Sequence, residues 1–289
     1  MSSLTAQVKN GEAFSRQQEL RLLRDREMKQ DYLREFYEGH CDEDARLTSR
    51  CGMVEFLTTM RYIETYLKPG DRVIEIGAGT GRYSHALAQK GHQVDAVELL
   101  EHNIAGFRRN TVPGEPVTVR QGSALDLSGF SDGVYDITLL LGPLYHLYTA
   151  EEQRKALTEA LRVTGPGGVV FAAYCGNDAT VLQCCFGREF LKDPRYRALT
   201  DLDTFKLAST PQEVFALHRR EDIDALMDGL PVKRLHFVGT DMATGYMEDT
   251  VERMDAELYE LYLRYHFAVC ERPDLVGASN HFLDVFQKQ

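Results

Sequence analysis

Apolar residues in the first part of the chain recur at helical spacing. Between Glu12 and Glu38 they fall at Phe14, Leu20, Leu23, Met28, Tyr32, Leu33, Phe36 and Tyr37, which predicts one or two amphipathic helices after a polar tail over Met1 to Asn10. Val54 to Leu67 repeats the pattern, and Pro69-Gly70 stops it. From Asp71 the period changes. RVIEI, a glycine-rich turn, a helix through Lys90-Gly91, QVDAVEL and another helix follow in order, and this alternation predicts βαβ units in a parallel sheet. Further strands are expected at Val117 to Gln121, Tyr135 to Leu141, Val169 to Tyr174, Lys233 to Val238 and His281 to Gln287. A helix over Ala150 to Val163 is expected to close on the turn Thr164 to Gly168, and another is expected over Glu252 to Cys270. Between Tyr174 and Leu230 the periodicity becomes irregular, with a short strand at Val214 to His218 and a helix at Arg220 to Asp228, so this stretch reads as an insertion. No fixed-period repeat is present, which excludes solenoids and propellers.

Composition narrows the function classes. The chain is 43% hydrophobic and 27% charged, which is ordinary for a globular protein and excludes fibrous or disordered readings. The 44 acidic and 33 basic residues give a formal net charge of −11, so a polyphosphate partner is repelled on average. The one dense basic stretch, Arg16 to Lys29, is interleaved with Glu19, Asp25 and Glu27, the pattern of a solvated helix face rather than a nucleic-acid footprint. The cysteines at 41, 51, 175, 184, 185 and 270 form no C-x-x-C pair and have no zinc-type histidine spacing, so no metal is expected. Without an apolar N-terminal region or a run of membrane-spanning length, the chain is expected to be cytoplasmic, with free thiols and no membrane partner.

The segment that carries chemistry is Val73 to Arg82, in which a buried strand runs into Gly77, Gly79 and Gly81 and then into a helix. Alternate glycines let the backbone turn sharply and approach a ligand without Cβ clashes. A dinucleotide fingerprint wants its third glycine one residue later, where this chain has Arg82, so the spacing argues against NAD. Glu75 places an acid near the turn, where a diphosphate is unwelcome. Glu98, at the end of the second strand, is suited to accept hydrogen bonds from a ribose diol. A nucleoside without phosphates is the implied ligand.

These motifs resemble the class I S-adenosylmethionine-dependent methyltransferases. The resemblance runs from about Arg72 to Tyr174 through IEIGAGTGRYS, VDAVEL, QGSALDL, YDITLLLGPLYHL and EALRVTGPGGVV. More loosely, EFLTTMRYI and YHFAVCERPDLVGASNHFLDVF resemble a bacterial stand-alone subgroup of mostly unassigned substrate. The resemblance implies a Rossmann-like α/β fold with a mostly parallel seven-stranded sheet and an antiparallel last strand. It also implies an N-terminal tail and helical cover at 1–68, and a cofactor-binding domain at 69–289 with an inserted cover at about 175–230. S-adenosyl-L-methionine is the implied cofactor and S-adenosyl-L-homocysteine the product. Carried over, the resemblance puts Glu75 and Gly77, Ala78, Gly79 and Gly81 around the methionine and ribose, and Glu98 on the ribose hydroxyls. It puts Leu99, Ser123 and Ala124 beside the adenine. Many family members carry an acid where this chain has Ser123, and here a hydroxyl or backbone group takes that place.

In an open parallel sheet, ligands lie beyond the carboxyl ends of the strands. That rule points to the turn after Leu141, with Tyr145 and His146 as leading substrate-side residues. The family's antiparallel last strand begins at the same edge and adds His281, with Ser279 and Asn280 beside it; Tyr174 and Asp241 are expected to reach it too. His266 is expected to be exposed or to cap a helix, and Arg46 and Arg50 to form surface ion pairs. The expected partner is a small methyl acceptor, and the chain is expected to act as a monomer or homodimer. Methylation of a protein or peptide, and retention of the adenosyl ligand without turnover, suit the same motifs.

Overall fold

The computed structural model describes residues 28–289. The expected tail, most of the first helical pattern and most of the basic stretch lie outside the described residues. Residues 28–39 are helical and belong to a first unit that ends at Cys41; Asp42–Gln289 form a second unit.

The second unit is built on one sheet. Its strands are β1 (Arg72–Ile76), β2 (Gln93–Glu98), β3 (Val117–Gln121), β4 (Tyr135–Leu140), β5 (Thr164–Gly176), β6 (Leu217–His218), β7 (Val232–Gly239) and β8 (His281–Lys288). Seven run in the order β3-β2-β1-β4-β5-β8-β7, and two-residue β6 pairs with β5 off that path. β1 to β5 are mutually parallel, and β8 runs antiparallel to both neighbours, β5 and β7. This is the mostly parallel α/β sheet that the alternation of periods predicts, with the antiparallel last strand that the resemblance implies.

The principal helices are α1 (Arg50–Tyr66), α2 (Arg82–Gln89), α3 (Glu101–Asn110), α4 (Ala150–Val163), α5 (Arg220–Met227) and α6 (Ala256–Val269). Ser49 caps α1 by accepting from the Gly52 N–H, and Thr149 caps α4 by accepting from Glu152. Two apolar layers form around the sheet. One gathers Ile74, Leu140, Ala156, Leu157, Ala160, Ile223 and Phe286, and the other Phe56, Ile63, Val73, Leu87, Phe171 and Val285. The buried central strands are apolar on successive residues because both faces are covered.

Three elements depart from the periodicity. Thr164 to Gly168 is the start of β5 rather than a closing turn: Tyr135 pairs with Thr164 across a register shift, and the Thr164 hydroxyl bonds the Thr138 hydroxyl at 2.7 Å. The strand expected from Val214 shrinks to Leu217–His218, because Val214 has φ +67°, a left-handed backbone that is costly for a β-branched residue and incompatible with a strand. The helix expected over Glu252 to Cys270 is split; Glu248–Arg253 ends and α6 begins afresh at Asp255, whose side chain accepts from the Leu258 N–H.

Candidate active site

The glycine turn leaves β1 at the carboxyl edge of the sheet and is tied to β2. Gly77 N–H and Ala78 N–H both donate to the Val97 carbonyl, at 2.7 and 3.1 Å. Gly77, Gly79 and Gly81 all have positive φ, at 76°, 55° and 90°. At Gly77 a Cβ would sit 2.6 Å from the Pro143 ring, so the β1 turn and the β4 turn meet over a missing side chain. Gly81 then caps α2.

Glu98 ends β2 beneath this turn. Its carboxylate accepts from Gly79 N–H at 2.8 Å and from Leu100 N–H at 2.9 Å. The group is 6% exposed, and burial raises its pKa against the lowering effect of these backbone donors. Asn103 Nδ2 also donates to Oε1 at 3.4 Å; of the about four lone-pair sites of a carboxylate, one on Oε2 then stays open for a ligand hydroxyl. Leu99 is half-buried and Ala124 buried. The Ser123 hydroxyl accepts from Leu125 N–H at 3.2 Å, which leaves its own proton to donate. A side-chain-free turn, a carboxylate and an apolar flank with one hydroxyl fit an adenosyl group.

Glu75 has a different setting from the one expected beside the ligand. It is 2% exposed, accepts from the Ser84 N–H at 2.9 Å and bonds the Ser84 hydroxyl, so its contacts are with the first turn of α2. Burial raises its pKa to about 8. Between its ordinary value of 4.5 and about 8 the folded chain therefore holds a proton that the unfolded chain has lost, and stability falls as pH rises through that window. In Glu75→Gln this contribution, on the order of a few kcal/mol, is expected to vanish. Urea titrations at pH 5 and pH 8 check it: the gap between the two pH values should be smaller in the variant than in the wild type.

Across the edge lies a cluster assembled from four segments. The His281 Nδ1 lies 2.7 Å from Asp241 Oδ2 and 3.5 Å from Glu55 Oε2. Arg46 donates to both Glu55 oxygens at 3.2 Å, and the second oxygen of Asp241 accepts from the Ser279 hydroxyl and from the Asn280 and His281 N–H groups. Burial pulls the His281 pKa down, but Glu55 and Asp241 outweigh it and hold the imidazole well above its usual value. At neutral pH the ring is an imidazolium, and two cations balance two carboxylates. Glu55, Asp241 and His281 place donor atoms within 4.8 Å of one another, the spacing of a cation site. Arg46 Nη1 already bridges both Glu55 oxygens, so a metal ion there must displace the guanidinium.

The remaining expected residues are placed as follows. Tyr145 is buried and donates its hydroxyl to the carbonyl of half-buried Leu141 at 2.8 Å. The His146 Nδ1 lies 3.0 Å from the Val214 carbonyl, and burial lowers its pKa to about 4, so the ring is neutral. Tyr174 does not reach the edge: it is fully buried against His218, because the side-chain alternation of β5 turns it into the core and brings Cys175 to the opposite face. His266 is 1% exposed and bonds the Thr58 hydroxyl at 2.8 Å, a core contact rather than a surface one. Arg46 is not a surface residue either, its side chain being one-third exposed at most. Arg50 donates to the Asp255 carbonyl and lies over the Tyr259 ring.

A cavity of about 500 Å³ opens beside the cluster, lined by Cys175, Phe190, Tyr196, Phe215, Asn280 and His281 among others. Sequence reasoning overlooked Cys175 as a site residue. The available signal was positional: it follows Tyr174 at the end of β5, where an antiparallel neighbour starts.

Residues 74–172 match the methyltransferase domain family. The chain is 26% identical to the putative methyltransferase YqeM of Bacillus subtilis over 111 residues, covering 38% of this chain and 44% of that protein, so it spans under half the length of that relative. It is 28% identical to the ubiquinone biosynthesis O-methyltransferase of Azotobacter vinelandii over 199 residues, 66% of this chain and 83% of that one. The fold is similar to that of a SAM-dependent methyltransferase of Methanosarcina mazei, with a TM-score of 0.52 at 19% identity over 78% of this chain and 96% of the other.

Proposed function

Since the chain belongs to the class I S-adenosylmethionine-dependent methyltransferases, we propose that it transfers a methyl group to N, O or S of a small molecule seated in the cavity beside His281. Its cofactor is S-adenosyl-L-methionine, which when bound supplies an electrophilic methyl carbon on a sulfonium. Glu98 holds the ribose, the Gly77 to Gly81 turn lies along the methionine and ribose, and Leu99, Ser123, Ala124 and Leu141 flank the base. Tyr145 and His146 shape the edge; His146, neutral and held to Val214, orients the β4 turn. His281, an imidazolium steadied by Asp241, faces the acceptor as a hydrogen-bond donor and positions it. Alignment of this kind can supply roughly 7–11 kcal/mol of a displacement barrier.

The observation that carries the reading is the Glu98 carboxylate clamped to the Gly79 N–H, because it joins the side-chain-free turn and the acid of β2 into one concave surface. No helix among the described residues is long and apolar enough to cross a membrane. Calorimetric titration with S-adenosylmethionine, S-adenosylhomocysteine and NAD tests the cofactor side, followed by a screen of small acceptors for homocysteine-product release. Binding of the first two without NAD is expected. Glu98→Ala removes charge-assisted bonds of roughly 1.5–3 kcal/mol, so affinity should weaken by about 10–150-fold. A change below about twofold would mean that the ribose is held elsewhere.

A further inference from the structure

We propose that Cys175 is a nucleophilic thiol, activated by the His281–Asp241 pair, and that it adds covalently to electron-poor alkenes conjugated to a carbonyl that enter the adjoining cavity. The inference concerns a second chemistry of this edge and does not depend on the methyl-transfer reading.

The geometry comes from the sheet. Cys175 of β5 and His281 of β8 are directly paired across an antiparallel ladder. Directly opposed residues project to the same face with Cβ atoms about 4.5–5.5 Å apart. The thiol therefore stands beside the imidazole. With Nδ1 held by Asp241 at 2.7 Å, the ring nitrogen left for the thiol is Nε2. Carboxylate, imidazole and thiol are thus successive neighbours, and the carboxylate is itself fixed by Ser279 and by two backbone N–H groups. Nε2 faces the sulfur and relays its proton as the attack proceeds.

Access and selectivity follow from the surroundings. Cys175 is 7% exposed and lines the cavity of about 500 Å³, so a reagent reaches it only through that space. Three other thiols are set against attack. Burial, and after it Glu252, push Cys51 up to about 12, and burial raises Cys185 and Cys270. Cys184 lines the same cavity and so shares its access, but it does not face His281 across the ladder.

The step balances without a further reactant. A bond forms between Sγ and the β-carbon of the alkene, the π pair moves toward the carbonyl oxygen, and the proton shared between Sγ and Nε2 ends on the α-carbon. The product is a thioether with the S–H elements added across the double bond.

N-ethylmaleimide is the probe. Brief treatment of the full-length protein below stoichiometry, quenched and followed by peptide mapping of all six cysteines, should label Cys175 at least about tenfold faster than Cys184. Asp241→Asn removes the charge-assisted bond to the ring and should slow Cys175 by roughly tenfold or more, with Cys184 unchanged. Cys185 and Cys270, both buried, report on the fold: if either is labelled rapidly in the variant, the wild-type order of labelling decides alone. Labelling of Cys184 ahead of Cys175, or a Cys175 rate indifferent to Asp241→Asn in a folded variant, overturns the proposal.

Discussion

Binding of S-adenosylmethionine is expected to be abolished in Gly79→Val. Two independent effects act at this position. Gly79 has φ +55°, which a β-branched residue adopts only with strain, so valine pulls the turn away from its native path. An added Cβ would also lie 3.2 Å from the Glu43 carboxylate, so the new side chain crowds that neighbour. Because the Gly79 N–H is the donor that fixes Glu98, displacement of the turn also frees the ribose acid, and both halves of the proposed cofactor surface are lost together. Calorimetric titration of the folded variant is the measurement. Undiminished affinity would remove the turn from the binding surface, whatever the Glu98 variant shows.

Arg234→Met is expected to lower the stability of the fold by about 3–5 kcal/mol, the usual cost of leaving a buried charge without its partner. Arg234 of β7 donates twice to Asp284 of β8, at 2.7 Å each, and the Asp284 side chain is fully buried. Burial raises the Asp284 pKa in spite of the guanidinium, so the carboxylate is held in an environment that resists its charge. Without Arg234 the carboxyl must either take up a proton or stand uncompensated, and β7 loses its side-chain tie to β8. Denaturant unfolding at pH 7 measures the loss. A change below about 1 kcal/mol would place the pair among ordinary surface contacts. The same two strands lead to Asp241 and His281, so a weakened β7–β8 pair should also loosen the acceptor side.

Much of this architecture was legible before any coordinates. The change of period at Asp71, the glycines after β1 and the helical spacing over Ala150 to Val163 are local signals, and each reports on a few neighbouring residues. Ala150 to Val163 is helical over the whole predicted span for that reason. Local signals failed where a non-local contact decided the outcome. Thr164 to Gly168 has the composition of a turn, yet pairing with β4 draws it into β5. Val214 has strand propensity, yet its carbonyl takes the Tyr148 hydroxyl at 2.7 Å as well as the His146 ring nitrogen, and its backbone turns left-handed there. His266 carries no mark of burial in its sequence neighbourhood; it is buried because Thr58 of α1 lies against it.

The sequence by itself determined the strand–turn–helix of the proposed cofactor surface, along with the order of elements and the parallel character of the sheet, because those features depend on spacing within one segment and on the absence of side chains at three glycines. Tertiary structure alone decided the proposed acceptor side. Glu55 on α1, Cys175 at the end of β5, Asp241 after β7 and His281 at the start of β8 are distant in the chain and meet only when β8 enters antiparallel between β5 and β7. Together with Arg46, the charges of Glu55, Asp241 and His281 can then balance one another out of bulk water, and that balance depends on register across strands, which no local pattern encodes.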